Sequence, residues 1–396
     1  MSLRFLTPQP ADPLLAMIAA FAQDPRPHRI DLSVGVYRDE AGRTPVLQAV
    51  KEAEQRLVEA QASKSYLGPE GDHAFVEALV PTVFGTAPGV FVEGLQTPGG
   101  TGALRVAAEL LALGGQGRTV WLGLPTWSNH APVLRAAGLA LRTFPQVDVA
   151  SQAFDLPATL AALEQARAGD VLVLQACCHN PTGIDPEPHE WRQVAECAAR
   201  RGLIVLLDMA YQGLGEGLEE DATLLREFVA RVPEVLVAYS CNKNFALYRD
   251  RVGAFFIASH SATCSTNARS NALALVRAMW SMPPDHGAAV VRTILHDPRL
   301  EALWRRELDA MRDRIAAVRG ALGTHHAAPA LSLGAIAGQK GMFATLPLSA
   351  EVITRLRGDH GVYLAPGGRA NLAGLPLGAV DRFVAALEDV LACQAA

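Results

Sequence analysis

Ser240-Cys241-Asn242-Lys243-Asn244-Phe245-Ala246-Leu247-Tyr248-Arg249-Asp250-Arg251 sets a lone lysine between a hydroxyl and an arginine, directly after a short apolar run. The chain has only four lysines, Lys51, Lys64, Lys243 and Lys340, among 35 basic residues. Arginine carries the routine surface charge. A guanidinium stays protonated in a protein, whereas a lysine shifts its pKa readily when desolvated and can then form a Schiff base with an aldehyde. Lys243 is the candidate for that chemistry. An arginine-rich composition with Lys243 as an ordinary loop residue accounts for this stretch equally well, so the decision falls to the rest of the chain.

Working outward, short apolar runs at 119–124, 171–175, 203–207, 235–239 and 253–259 alternate with helical patterns. The alternation predicts an α/β fold with a mainly parallel sheet covered by helices on both faces. In such sheets ligands sit beyond the carboxyl ends of the strands. Just past those ends stand Trp127 with His130, Asn180, Asp208 with Tyr211, and Ser240 with Lys243. Each alone is weak evidence, since an aspartate after a strand is often a helix cap, but several at corresponding positions are hard to produce by structural need.

Thr97-Pro98-Gly99-Gly100-Thr101-Gly102 runs straight into a helical pattern at 103–113. The N–H groups at such a helix start favour an anion, glycines let them approach phosphate oxygens, and Thr101 adds a hydroxyl. The competing reading is a plain glycine-rich cap. No Gly-Lys-Ser/Thr follows, and the glycine spacing is not that of a dinucleotide fingerprint.

Upstream, Leu14, Met17, Ile18 and Phe21 share one helical face behind Asp12 and Pro13, a cap and a first-turn proline. This predicts an amphipathic first helix rather than a targeting signal. An extended segment at 29–37 contains Gly35, which lets backbone approach a ligand, and a helical pattern at 45–62 ends before a turn-rich loop with Tyr66 at its tip. Helical patterns return at 270–282, break at Pro283-Pro284, and resume as a long charged helix at 299–319. A segment poor in charge follows, then a strand at 361–365 with Gly367-Gly368-Arg369 beyond it. We expect an N-terminal arm and part of a small domain at 1–44, a large domain at 45–310, and a small α+β domain at 311–396.

Half of the residues are hydrophobic and 19% are charged, which fits a well-buried globular enzyme. A net charge of -5 gives no general attraction for nucleic acid or anionic membrane. Six scattered cysteines, with Cys177 and Cys178 adjacent and no C-x-x-C spacing, indicate neither a zinc site nor a disulfide framework. No apolar run approaches the ~18 residues of a membrane span. The expectation is a cytoplasmic, metal-free enzyme acting on small molecules.

A phosphate cup, a Schiff-base lysine, an aspartate, a phenol and an amide near a ring, and a tryptophan to stack on it are what pyridoxal 5'-phosphate requires. Asp208 suits the pyridine nitrogen, Tyr211 and Asn180 the ring oxygen, and Lys243, once displaced, proton transfer at the substrate α-carbon. A dehydrogenase reading leaves the lysine unexplained.

With these residues assembled, the chain resembles the aspartate and aromatic aminotransferase family, fold type I of the pyridoxal phosphate enzymes. The resemblance spans nearly the whole length. It rests on 34–37 (VGVY), 66–68 (YLG), 99–105 (GGTGALR), 127–130 (WSNH), 177–183 (CCHNPTG), 208–213 (DMAYQG) and the lysine segment. It implies a three-layer large domain and a homodimer with shared active sites. It also implies that Gly100, Thr101, Gly102, Ser240 and Arg251 hold the phosphate, that Tyr66 reaches it from the partner subunit, that Trp127 stacks on the ring, and that His130 stands behind the residues that line the site. For substrate it implies that Arg369 binds the α-carboxylate with Gly35, Trp127 and Asn180 nearby. Arg277, which alone reads as a solvated helix charge, would come from the partner to meet a distal carboxylate.

The sequence departs from the family pattern at several places. Asn242 replaces a serine before the lysine, Ala246 a glycine after it, and Ser33 a glycine before Val34. Ser65 and Met282 stand where dicarboxylate-specific members place asparagine. The last two weaken a polar network at the distal-carboxylate site, and Met282 is apolar and adaptable. The resulting expectation is transfer of the amino group of aromatic amino acids, and of aspartate, to 2-oxoglutarate by a ping-pong route, with a narrow aspartate enzyme as the alternative. A β-lyase or aspartate decarboxylase on the same scaffold, and a regulatory ligand-binding module, are the other classes. The module would need a DNA-binding domain, for which a first helix near residue 13 leaves no room.

Overall fold

The computed structural model describes residues 7–8, 13–115, 117–325, 331 and 333–392. Its centre is a seven-stranded sheet made of β1 (Phe91–Pro98), β2 (Thr119–Leu124), β3 (Ala140–Pro145), β4 (Val171–Gln175), β5 (Ile204–Met209), β6 (Glu234–Ser240) and β7 (Val252–Ser259). The spatial order is β1-β7-β6-β5-β4-β2-β3, with β7 antiparallel to both neighbours and every other pairing parallel. Strands β4, β5 and β7 are buried at every position. They therefore read as continuous apolar runs and require cover on both faces.

That cover is resolved by alternate residues. On one face Val171, Val173, Ile204, Leu206, Leu236, Phe255 and Ile257 pack with α1 (Gly99–Leu113) and α2 (Ala262–Met279). On the other, Leu172, Leu174, Val205, Leu207, Val235, Val237 and Phe256 join a larger core with the helices His73–Phe84, Pro188–Arg201, Thr223–Arg231 and His286–Leu295. A second core unites Ile30 and Leu32 with residues from Val318 to Val390. One 26-residue helix, α3 (Pro298–Gly323), serves both: Leu300, Trp304, Leu308, Met311 and Ile315 enter the large core, Val318 and Leu322 the small one. The segment Ile30–Leu32 runs parallel to Val362–Leu364, which ties the chain's beginning to its end. Among the described residues, no helix is long and apolar enough to cross a membrane.

The five anticipated strands all form, and two more flank them. In β3 only Phe144 is buried, and in β1 Phe91 is exposed, so these edges lack the apolar run that marks the centre. Helix α2 starts earlier than its apolar pattern suggests, because the Ser261 side chain accepts from the Cys264 N–H and caps a polar first half. It also ends at Met279, ahead of the diproline. The first helix, Pro13–Gln23, is present, and its anticipated cap Asp12 lies outside the described residues.

Ala246 adopts φ +55°, the left-handed region that an L-residue enters at a cost of ~1 kcal/mol, which explains why a glycine suits this turn. The conformation closes a turn in which the Ala246 N–H donates to the Lys243 carbonyl (3.1 Å). Ala246→Gly should therefore raise the stability of the chain, by up to about 1 kcal/mol after allowing for glycine's larger unfolded-state entropy. Urea unfolding measures this; a loss of stability would mean the turn carries no strain.

Candidate active site

The carboxyl ends of β4, β5 and β6 open onto a cleft of about 290 Å³, lined among others by Gly35, Gly100, Thr101, Trp127, Asn180, Asp208, Tyr211, Ser240, Lys243, Arg251 and Arg369. Eleven expected residues, from seven separate stretches of sequence, thus share one cavity. Gly102 is buried in the first turn of α1 without lining it, and an added Cβ there would lie 2.7 Å from Pro98 Cδ. His130 stands behind the wall. Tyr66 and Arg277 do not enter the cleft of their own chain: Tyr66 is 93% exposed, and Arg277 is exposed and donates to Ser281 Oγ. The Leu67 N–H meets Met282 Sδ at 3.0 Å, so the loops following these two residues touch.

One end of the cleft is built for an anion. α1 begins at Gly99 with no side-chain cap, so its first-turn N–H groups have no intrahelical acceptor. An added Cβ on Gly100 would sit 3.1 Å from Ser240 Cβ, and one on Gly99 3.1 Å from Arg251 Nη2. Only glycine lets this helix start approach the Ser240 hydroxyl and the Arg251 guanidinium so closely. Arg251 is itself held at φ +58° and donates to the Tyr248 carbonyl (3.2 Å).

Lys243 lies in the middle. Its Nζ is 5.0 Å from the Tyr211 ring centroid. Desolvation, helped by the nearby Arg251 charge and opposed by Asp208, brings its pKa down to about 8. Asp208 is fixed from behind: its Oδ2 is 3.0 Å from His130 Nε2, and His130 Nδ1 is 2.8 Å from Thr126 Oγ1. A carboxylate accepts only, so Nε2 carries the proton and Nδ1 accepts from the Thr126 hydroxyl. Trp127 stands edge-on to His130, with centroids 5.3 Å apart at 90°.

At the far end, Asn180 Nδ2 donates to Tyr211 Oη (3.2 Å), while Asn180 Oδ1 is buried with no partner. Burial, and then the Asp208 charge, push the Tyr211 phenol far above its ordinary pKa, so it remains a donor. Arg369 donates to the Ser33 carbonyl (2.8 Å) and lies 4.9 Å over the Phe343 ring. Its Nε is buried and unpaired, and desolvation lowers its pKa. A buried guanidinium without a carboxylate is costly, so this group is poised for an anionic ligand. These features fit pyridoxal phosphate and an amino acid carboxylate: an anion cradle, an activated amine, a braced carboxylate and orphaned polar atoms face one cavity.

Sequence reasoning missed Gln175, Tyr248, Phe343 and Asn371. Gln175 Oε1 accepts from the Asn180 N–H and its Nε2 donates to the Asn180 carbonyl, both at 2.9 Å, clamping that residue. It ends a buried strand as Asp208 nearly ends the next, so the same strand-end rule could have found it. Tyr248 Oη accepts from the Tyr37 N–H (2.9 Å). Phe343 fills the space over Gly35, whose added Cβ would lie 2.8 Å from Phe343 Cζ. Asn371 donates to the Val34 and Val36 carbonyls at 2.6 and 2.7 Å, holding the loop that carries Gly35. No local pattern marks either of the last two. Deeper, the Cys177 and Cys178 thiols lie within 4.8 Å of the Asp221 carboxylate, whose oxygens already accept from the Gly213, Gly215 and Glu216 N–H groups.

With four lysines, reductive methylation with labelled formaldehyde gives a small set of resonances to titrate. In the cofactor-free protein Lys243 should titrate near pH 8. Asp208→Asn should move Lys243 lower, because Asp208 favours its charged form. A midpoint in the ordinary lysine range, about 10.4, would remove the case for activation.

A family model described as aminotransferase class I and II matches residues 27–387. A tyrosine aminotransferase of Rhizobium meliloti is 51% identical over 93% of this chain and 95% of its own. An aspartate aminotransferase of Escherichia coli is 43% identical over 93% of this chain and 95% of its own. Among solved structures, an aromatic-amino-acid aminotransferase from Burkholderia pseudomallei covalently bound to pyridoxal phosphate superposes with a TM-score of 0.94, at 36% identity, over 99% of this chain and 100% of that one.

Proposed function

The chain belongs to the class I and II aminotransferases, and from that premise we propose that it passes the amino group of aromatic L-amino acids, and of aspartate, to 2-oxoglutarate. The observation that carries the reading is the convergence of an activated lysine, a braced aspartate and a buried, anion-seeking arginine on one cleft. The greater identity to the tyrosine enzyme than to the aspartate enzyme supports the aromatic donor.

Pyridoxal 5'-phosphate, when bound, supplies an electron sink for the charge left on a substrate α-carbon. In this reading Gly100, Thr101, Ser240 and Arg251 hold its phosphate, Trp127 covers its ring, and Asn180 with Tyr211 face its ring oxygen. Asp208 would pair with the ring nitrogen, and the His130 N–H orients Asp208. Arg369 forks onto the substrate α-carboxylate with its free Nε, giving two parallel charge-assisted bonds. Lys243, free as an amine at a pH close to its own pKa, takes the α-proton and returns it.

Tyr66, Arg277 and Met282 complete the site from a second copy in a homodimer. The exposure of Tyr66 and Arg277 on this protomer, with the loop after Tyr66 in contact with half-buried Met282, supports their presentation as one patch to a partner. Arg277 accounts for a distal carboxylate, and apolar Met282 with Ser65 for an aromatic side chain. The division into an arm at 1–44, a large domain at 45–310 and a small domain at 311–396 is part of the same reading. So is a cytoplasmic location, in keeping with Cys177, Cys178, Cys197, Cys241 and Cys264 as free thiols.

Comparison of kcat/KM for phenylalanine and aspartate tests the substrate. We expect the two within about a hundredfold, under 3 kcal/mol in transition-state binding; an aspartate preference beyond about a thousandfold identifies the narrow enzyme instead. Lys243→Ala should abolish both activities and the absorbance of the cofactor joined to the lysine. Release of alanine or ammonia from aspartate would place the protein in another reaction class.

A further inference from the structure

We propose that Asp31, a buried carboxylate outside the cleft, is a positioning residue for the substrate: through Ser33 it fixes the carbonyl that holds Arg369 in place for an α-carboxylate. The inference rests on the aminotransferase reading above and deepens it at the substrate end of the cleft. It also gives a role to Ser33, which stands where the family pattern has glycine.

Asp31 is 5% exposed, Ser33 is fully buried, and neither lines the cleft. The Asp31 backbone is set by its pairing with Tyr363, and its neighbours Ile30 and Leu32 belong to the small core. Asp31 Oδ1 accepts from both the Ser33 N–H (3.0 Å) and the Ser33 hydroxyl (2.6 Å). Its Oδ2 accepts from Arg38 Nη2 (2.6 Å), on the far side of the loop. One carboxylate thus closes the loop 33–37 at its base, while Asn371 holds the Val34 and Val36 carbonyls from within. The Arg38 N–H adds a bond to the Ala373 carbonyl (3.0 Å).

With its N–H and its hydroxyl tied to one oxygen, Ser33 presents its carbonyl to Arg369, whose Nη2 donates to it at 2.8 Å. Arg369 Cζ lies 4.9 Å from the Phe343 ring centroid. A ring against its face and a carbonyl at its edge define the plane of the guanidinium, and its buried Nε is left without a partner. A guanidinium donates in a rigid planar fork, so bidentate capture of a carboxylate depends on that plane. Asp31 is itself neutralised by Arg38 and not by Arg369, so it orients the substrate arginine without competing for its charge. A glycine at 33 would leave the Asp31 oxygen with the N–H alone. The serine hydroxyl adds a short charge-assisted bond.

The α-carboxylate is common to every substrate, so the expected signature is a uniform loss of binding. Holoenzyme of wild type, Asp31→Ala and Ser33→Ala is titrated with succinate and with 3-phenylpropionate, following the absorbance of the cofactor joined to the lysine. These are the skeletons of aspartate and phenylalanine without their amino group. Steady-state kinetics with both amino acids give KM and kcat. We expect Asp31→Ala to weaken both carboxylates by the same factor, about tenfold, and to raise KM for both donors with kcat within about twofold. Ser33→Ala, which removes a single hydroxyl, should show the same pattern at about threefold, and it carries the test if Asp31→Ala does not fold. In an Arg369→Lys background both losses should vanish, because the effect passes through Arg369. Unchanged affinities, a fall in kcat at constant KM, losses confined to one donor, or losses that persist undiminished beside Arg369→Lys would overturn the proposal and leave the function standing. A wild type that neither transfers the amino group nor responds to either carboxylate would overturn the function itself.

Discussion

The structure depends on how closely three backbones approach at Gly253. This residue is the second of the antiparallel strand β7, pairs with Ser240 on one side and sits one register step from the Val252–Pro98 pair on the other. A Cβ on Gly253 would lie 2.5 Å from the Tyr239 carbonyl oxygen and 2.7 Å from the Gly99 carbonyl carbon. Only hydrogen fits between them. The helix start at Gly99, the hydroxyl at Ser240 and the loop from Cys241 to Arg251 that returns into β7 are therefore stacked by the sheet register itself. The anion cradle follows from strand pairing, and its side chains are placed before any ligand arrives.

A polar wall then surrounds the lysine without bonding to it. The loop that carries Lys243 is held on its far side, where Tyr239 Oη donates to Gln212 and accepts from Asn244, and the Trp304 indole donates to the Asn244 carbonyl. Phe245 stacks on Trp304 with ring centroids 4.3 Å apart. The residues flanking Lys243 are thus locked by packing and hydrogen bonds, while the amine itself keeps its freedom and its lowered pKa. Support from behind with an unengaged front is the arrangement a group needs when it must exchange partners during turnover.

Much of this was legible in the chain because the site is assembled by a periodic element. Each strand of a parallel sheet delivers its next residue to the same edge, so Asn180, Asp208, Ser240 and Lys243 could be placed together from apolar runs alone. Gln175 obeyed the same rule and was passed over because a terminal glutamine reads as the end of a run. Phe343 and Asn371 were invisible for a different reason: Phe343 reaches the cleft, and Asn371 the loop that carries Gly35, from a short antiparallel pair, Phe343–Thr345 with Arg369–Asn371, whose three-residue strands carry no periodic signal. The off-pattern residues beside the lysine were visible as departures but not as physics. Ala246 acquires its meaning from a positive φ, a quantity that is not written in residue type.

Helix α3 makes the molecule a mechanical linkage. Its first turns are embedded in the large core and its last two in the small one, so the angle between the cores is governed by the bending stiffness of a continuous rod. The crossover falls between Ile315 and Val318, and Arg319, one residue further, is buried and donates to the carbonyls of Ile336, Lys340, Gly341 and Phe343. The rod is thereby pinned to the segment that brings Phe343 over Gly35 and under Arg369. Bending the rod and reshaping the substrate end of the cleft are thereby coupled, through Arg319 and through Arg314, which donates to the Ala373 and Leu375 carbonyls.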